Sequence, residues 1–229
     1  MRPSGRLPCP ALLWTTAALL PAALWMVFRY APDERVMGPV QRVFYFHVPS
    51  AAVTFASVLV LALAAVAYLR TRRGFWDDVA VAATELGLVF CTIVLVTGPI
   101  WAKSAWGAWW TWEARLTTTL VLWLLLASIL MVRGYAESRD QGARLAAVLG
   151  IVAALDVPVV YKAVDWWRGQ HPVVFGPGKD EPLAPEMLRT LLVCMAVFFL
   201  LYASLLCLRV RLLGLEGRAR DLSESLGDR

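Results

Sequence analysis

Histidine is nearly missing from this 229-residue chain, which has only His47 and His171. Two histidines cannot by themselves supply the three protein ligands of a catalytic zinc site. Charge is scarce as well: 17% of residues are Asp, Glu, Lys or Arg, against roughly 25% in soluble domains. With 59% hydrophobic residues, an ordinary soluble globule is excluded. Cysteine is confined to Cys9, Cys91, Cys194 and Cys207. These lie on or near apolar segments and form no C-x-x-C, so neither a disulfide framework nor a zinc site is expected. The lack of C-x-x-C-H excludes a c-type cytochrome. Soluble domains, low-complexity segments and internal repeats are also missing.

What is present is a series of apolar runs. At about 20 residues per span the length allows six or seven helices. Apolar runs over 11–28, 48–69, 79–100, 116–132, 145–161 and 187–208 predict six. The fold class expected is an all-α integral membrane protein, a bundle of six transmembrane helices forming one polytopic domain over 1–229. Residues 209–229 are charged and read as a cytoplasmic tail, flexible or lying along the membrane surface. The first run is too long for the usual 7–15-residue core of a signal peptide, so it reads as a helix.

The net charge of +5 reads as membrane topology, with no nucleic-acid partner implied. With six spans both termini share a side. That side collects thirteen of the 22 Lys and Arg residues, including Arg70, Arg72, Arg73, Arg133, Arg139 and Arg144 in short turns, and nine lie opposite. Basic short turns favour the cytoplasm. Both termini are therefore expected inside, and His47, His171 and the loop between the third and fourth spans outside.

That loop holds the densest feature of the chain, WAKSAWGAWWTWEAR over 101–115. Five of the eleven tryptophans are here: Trp101, Trp106, Trp109, Trp110 and Trp112. Trp166 and Trp167 lie in another outer loop, whereas Trp76 is the one clear inner-loop tryptophan. An interfacial aromatic belt would decorate both sides; this asymmetry favours a one-sided binding surface. If the loop is helical, Trp106, Trp109 and Trp110 share a face at i, i+3, i+4. Such a face fits a porphyrin, and equally a quinone or a lipid. His47 and His171 flank it in sequence, and two imidazoles complete six-coordination of a haem iron. Quinone, lipid and a transition metal stay open at this point. Arg42, Arg115, Lys162 and Arg168 are cations for carboxylates near the same surface, and Glu113 is placed to orient Arg115 or an indole N–H. Glu85 and Asp156 fall inside spans, where a carboxylate is a functional candidate by default.

Three motifs in order give a resemblance. WGAWWTWEARLT resembles the tryptophan-rich signature WGxWWxWD of haem-handling membrane proteins in cytochrome c maturation. QRVFYFHVPSA and VDWWRGQH are similar to the two histidine segments of the haem exporter protein C family of the system I pathway. The likeness covers residues 41–171, and the six-span plan continues to Leu208. Glu113 stands where the family has aspartate, one methylene longer.

The resemblance implies a haem b cofactor, iron protoporphyrin IX, bound at the outer face of the bacterial plasma (inner) membrane. His47 and His171 would be the axial iron ligands, and Trp101, Trp106, Trp109, Trp110 and Trp112 the platform under the porphyrin. Arg42 and Arg115 are propionate candidates, Glu113 the motif carboxylate, and Trp166 and Trp167 secondary aromatics. No catalytic residue is implied. The implied partners are the lipid bilayer, a membrane-anchored haem chaperone that receives the haem covalently, and an ATP-binding-cassette haem-release complex. The chain has no P-loop, so ATP would be used elsewhere. The rival expectations are a transporter moving haem or another amphipathic solute, supported by Glu85 and Asp156, and a system II-like cytochrome c synthase. The latter usually has more spans and a large outer domain.

Overall fold

A computed structural model describes residues 9–169, 171–172 and 183–227. Six helices among them are long and apolar enough to cross a membrane, as the apolar runs predict. They are α1 (Cys9–Trp25), α2 (Phe44–Thr71), α3 (Gly74–Trp106), α4 (Ala114–Tyr135), α5 (Arg139–Trp167) and α6 (Pro185–Gly227). A π-turn at Met26–Tyr30 extends α1, and a 3-10 turn at Pro39–Val43 leads into α2. With no water in a bilayer to satisfy backbone groups, a helix that closes its own hydrogen bonds is the economical way to span it.

Four placements differ from the sequence reading. Trp166 and Trp167, expected in an outer loop, are the last helical residues of α5. His47 does not lie in a loop ahead of its span; it belongs to the first turn of α2. Trp101 and Trp106 are helical residues of α3, so the tryptophan-rich loop is shorter than expected. Residues 209–227 are no loose tail, for they continue α6 without a break. Their Leu, Arg, Ala and Glu are strong helix formers, and Arg209 pairs with Glu216 across two turns at 3.4 Å.

Helices α2, α3, α4 and α5 enclose the main apolar core, with Leu61, Leu122, Leu126 and Ile129 fully buried. Helix α6 packs on α2 and α3, and α1 packs on α6. In lipid, close approach of backbones replaces hydrophobic expulsion as the source of helix contact, and small residues permit it. Helix α5 presents Ala143, Ala146, Ala147, Gly150 and Ala153 as buried residues. At Gly150 an added Cβ would lie 3.1 Å from Leu61 of α2. Gly150→Val is therefore expected to cost about 1–3 kcal/mol by overpacking, read as a lower unfolding temperature in detergent. Gly134→Ala is the control, because a Cβ there meets nothing within 4 Å.

Polar pairs also join the helices. Ser57 of α2 donates to the Ala83 carbonyl of α3 at 2.7 Å. Trp123 of α4 donates to Thr92 of α3 at 2.8 Å. Thr16 of α1 and Ser204 of α6 are 3.0 Å apart. Glu85 is held by two nitrogens of Arg209, at 2.6 and 2.8 Å. This pair joins α3 to α6.

One expectation is overturned. Cys9 and Cys207 form a disulfide that ties the start of α1 to α6. They are 198 residues apart in sequence, so only the packing of α1 on α6 brings them together. Cys91 and Cys194 are buried free thiols.

Candidate functional site

Three helix ends converge at one end of the bundle. The start of α2 carries His47, the end of α3 carries Trp101 and Trp106, and His171 follows the end of α5. Helix α5 closes with Arg168 in the left-handed conformation, which turns the chain back toward the bundle and delivers His171 opposite His47. The two imidazole ring centres are 6.4 Å apart, with ring planes 29° from parallel. With metal–imidazole bonds of roughly 2 Å, two rings sharing one iron have centres roughly 6 Å apart. The spacing fits. Among the described residues no group of three or more His, Cys, Asp or Glu could hold a metal ion.

Each ring uses Nδ1 for its protein contacts. His47 Nδ1 lies 2.8 Å from Thr97 Oγ1 of α3. His171 Nδ1 lies 3.2 Å from the Pro172 carbonyl and 3.3 Å from Arg115 Nη1. A carbonyl only accepts and a guanidinium only donates, so one nitrogen cannot hydrogen-bond both. Arg115 already donates to the carbonyls of Val160 and Tyr161, at 3.3 and 2.8 Å. The assignment consistent with iron at Nε2 is a proton on Nδ1, donated to Pro172. Burial, and then the adjacent Arg115 cation, push the His171 imidazolium down to about 3. The ring is neutral at physiological pH, which is the form that binds iron.

The tryptophans split into two groups. Trp106 meets His171 edge-on at 6.3 Å and Trp101 at 5.4 Å. Trp101 is fixed in turn by donating Nε1–H to Gln41 at 3.0 Å. Helix α3 ends at Gly107, whose φ of 75° suits a residue without a Cβ. The predicted shared face of Trp106, Trp109 and Trp110 therefore does not form, because the helical register stops at Trp106. Trp110 instead packs edge-on with Trp112 at 5.6 Å. Trp109 and Trp112 are 59% and 70% exposed, an apolar surface open to a flat partner. Trp112 adopts φ 56°, a strained value for a bulky residue that is typical of binding segments. Trp166 and Trp167 pair edge-on at the end of α5 and are largely exposed.

The cations are less free than the sequence suggests. Arg42 pairs with Asp33 at 2.8 Å and reaches the Phe28 carbonyl at 3.2 Å, so it braces the segment ahead of α2. Lys162 pairs with Asp165 at 2.9 Å. Glu113 immediately precedes α4, and its carboxylate points at the turn before His171: a Cβ on Gly169 would lie 3.1 Å from Glu113 Oε2. The carboxyl group thus connects the tryptophan loop to the segment that carries His171. Thr97, Gly98 and Gln41 were not singled out by the sequence, since a Thr-Gly-Pro near a helix end looks like many others.

Comparison with known proteins settles the family. A family model described as heme exporter protein C matches residues 2–224. The chain belongs to this family. It is 32% identical over 214 residues to the heme exporter protein C of Bradyrhizobium diazoefficiens, covering 93% of this chain and 81% of the relative. The Haemophilus influenzae protein of that name is 31% identical over 204 residues, 89% and 83% of the two chains. That of Rhodobacter capsulatus is 32% identical over 224 residues, 97% and 91%. Membership and the six apolar helices make this a multi-pass membrane protein, and they support a role in haem export or delivery in cytochrome c maturation alongside other components of that system.

Proposed function

We propose that this protein holds haem b at the outer face of the inner membrane, between His47 and His171, and presents it to a membrane-anchored haem chaperone. The observation that carries this is the pair of imidazoles 6.4 Å apart, each with Nδ1 against a protein partner, an arrangement that would offer Nε2 to iron. That is how metal-binding histidines are usually oriented. Basic turns after α2 and α4 support the cytoplasmic placement of the opposite end and of both termini. The exposed indoles of Trp109 and Trp112, with Trp110, offer the porphyrin an apolar surface.

In this account the chain contributes positioning, and the reactive chemistry belongs to the haem. His47 and His171 fix the iron. Trp106 limits the movement of the His171 ring. Arg115 is held by α5 carbonyls with its charge beside His171, where it would pair with a haem propionate. An ATP-binding-cassette complex would supply the energy for releasing the loaded chaperone, since this chain lacks a P-loop.

The test is loading of the chaperone in cells carrying Trp109→Ala with Trp110→Ala. Base–aromatic contacts of comparable size are worth about 1–3 kcal/mol per ring, so covalently loaded chaperone is expected to fall about tenfold or more. Normal loading by this variant would remove the tryptophans from the site.

A further inference from the structure

We infer that Thr97 is the positioning residue that fixes the tautomer of His47 and aims its Nε2 at the iron. This rests on the reading of His47 as an axial ligand, and it concerns a residue on a different helix, fifty positions away in sequence.

A threonine hydroxyl has one hydrogen and two lone pairs. Thr97 Oγ1 lies 2.6 Å from the Ile93 carbonyl and 3.5 Å from the Val94 carbonyl. A carbonyl oxygen only accepts, so the 2.6 Å contact needs the hydroxyl hydrogen; without it two lone-pair oxygens would face each other at that distance. The hydrogen is therefore committed to α3's own backbone. The 2.8 Å contact with His47 Nδ1 must then run the other way, with the imidazole donating Nδ1–H to the hydroxyl. A neutral imidazole protonated at Nδ1 carries its lone pair on Nε2.

Gly98 seats the same ring. A Cβ there would lie 3.3 Å from His47 Cε1, so the absent side chain lets the imidazole pack against the backbone of α3. Thr97 sets the proton and Gly98 sets the plane. The pair acts before any iron arrives, because the hydroxyl is already oriented by its bond to Ile93.

An imidazole that donates its second N–H is a stronger iron ligand, and loss of such a partner typically costs 10–100-fold in metal affinity. Thr97→Val keeps the shape of the side chain and removes the acceptor. Haem affinity of the purified protein is expected to drop by about 10–100-fold, and the haem midpoint potential to rise as the ligand weakens. Thr97→Ser, which keeps the hydroxyl, is expected to restore both. The haem-free protein gives a second readout that needs no variant at position 97. Nitrogen-15 NMR of histidine-labelled protein, with His171→Ala to assign the remaining ring, should show His47 Nδ1 protonated and Nε2 bare. A protonated Nε2 overturns the inference. So does a Thr97→Val protein with wild-type affinity and potential, provided that wild type is six-coordinate and His47→Ala is not. If His47→Ala leaves the six-coordinate spectrum unchanged, the ligand assignment itself falls and takes this inference with it.

Discussion

Replacing His47 and His171 together by alanine is expected to abolish the six-coordinate haem spectrum of the purified protein. In the proposed site each imidazole would supply one axial bond, and the described residues bring no group of three or more His, Cys, Asp or Glu together that could hold a metal. Alanine at either position alone leaves one ligand, and a five-coordinate, more easily lost haem is expected. The two single variants should differ in character. His47 sits on α2 against Thr97 and Gly98, a rigid seat formed by two packed helices. His171 follows the end of α5 and is set by the Pro172 carbonyl and the edge of Trp106, a seat outside the packed helices. A protein that keeps its six-coordinate spectrum without both histidines would contradict the axial assignment.

The largest effect on stability is expected at Asp77. This carboxylate lies near the start of α3 with its side chain 4% exposed. Arg133 of α4 grips it with two nitrogens, at 2.7 and 2.9 Å, and Arg139 of α5 approaches at 3.8 Å while also pairing with Asp78 at 3.3 Å. One carboxylate thus fastens three helices at the end of the bundle opposite the histidines. Asp77→Ala strands the largely buried Arg133 guanidinium, and breaking such a pair costs about 3–5 kcal/mol. Thermal unfolding in detergent, followed by circular dichroism, should show a drop well beyond that of Gly150→Val. Combining Asp77→Leu with Arg133→Met removes both charges and should recover most of the loss. A single variant as stable as wild type would show that the pair is not buried in the membrane-embedded protein.

The spans were legible because apolar runs of about twenty residues leave a chain few alternatives in lipid. Their ends were not. Helix α3 runs through Lys103 and Ser104 to Trp106, since at a membrane boundary hydropathy falls before the backbone hydrogen bonds do. Helix α6 runs past Arg209 because helix propensity, and not hydropathy, governs its last turns. The Cys9–Cys207 disulfide could not be read from spacing, because it depends on which helix packs beside α1.

Within the site, His47 and His171 stood out through scarcity alone, and the tryptophans through density. Their arrangement did not follow from either. The i, i+3, i+4 face of Trp106, Trp109 and Trp110 fails where Gly107 ends the helix. Arg42, a propionate candidate by sequence, is held by Asp33. Thr97 gave no signal, because its role exists only once α3 is laid against α2.

The central claim is that both histidines of this chain bind one iron. Since there are only two, labelling every histidine with nitrogen-15 labels the two proposed ligands and nothing else. Electron–nuclear double resonance on the ferric, haem-loaded protein should then show two strongly coupled axial nitrogen-15 nuclei. A single such nucleus, or none, would contradict the account.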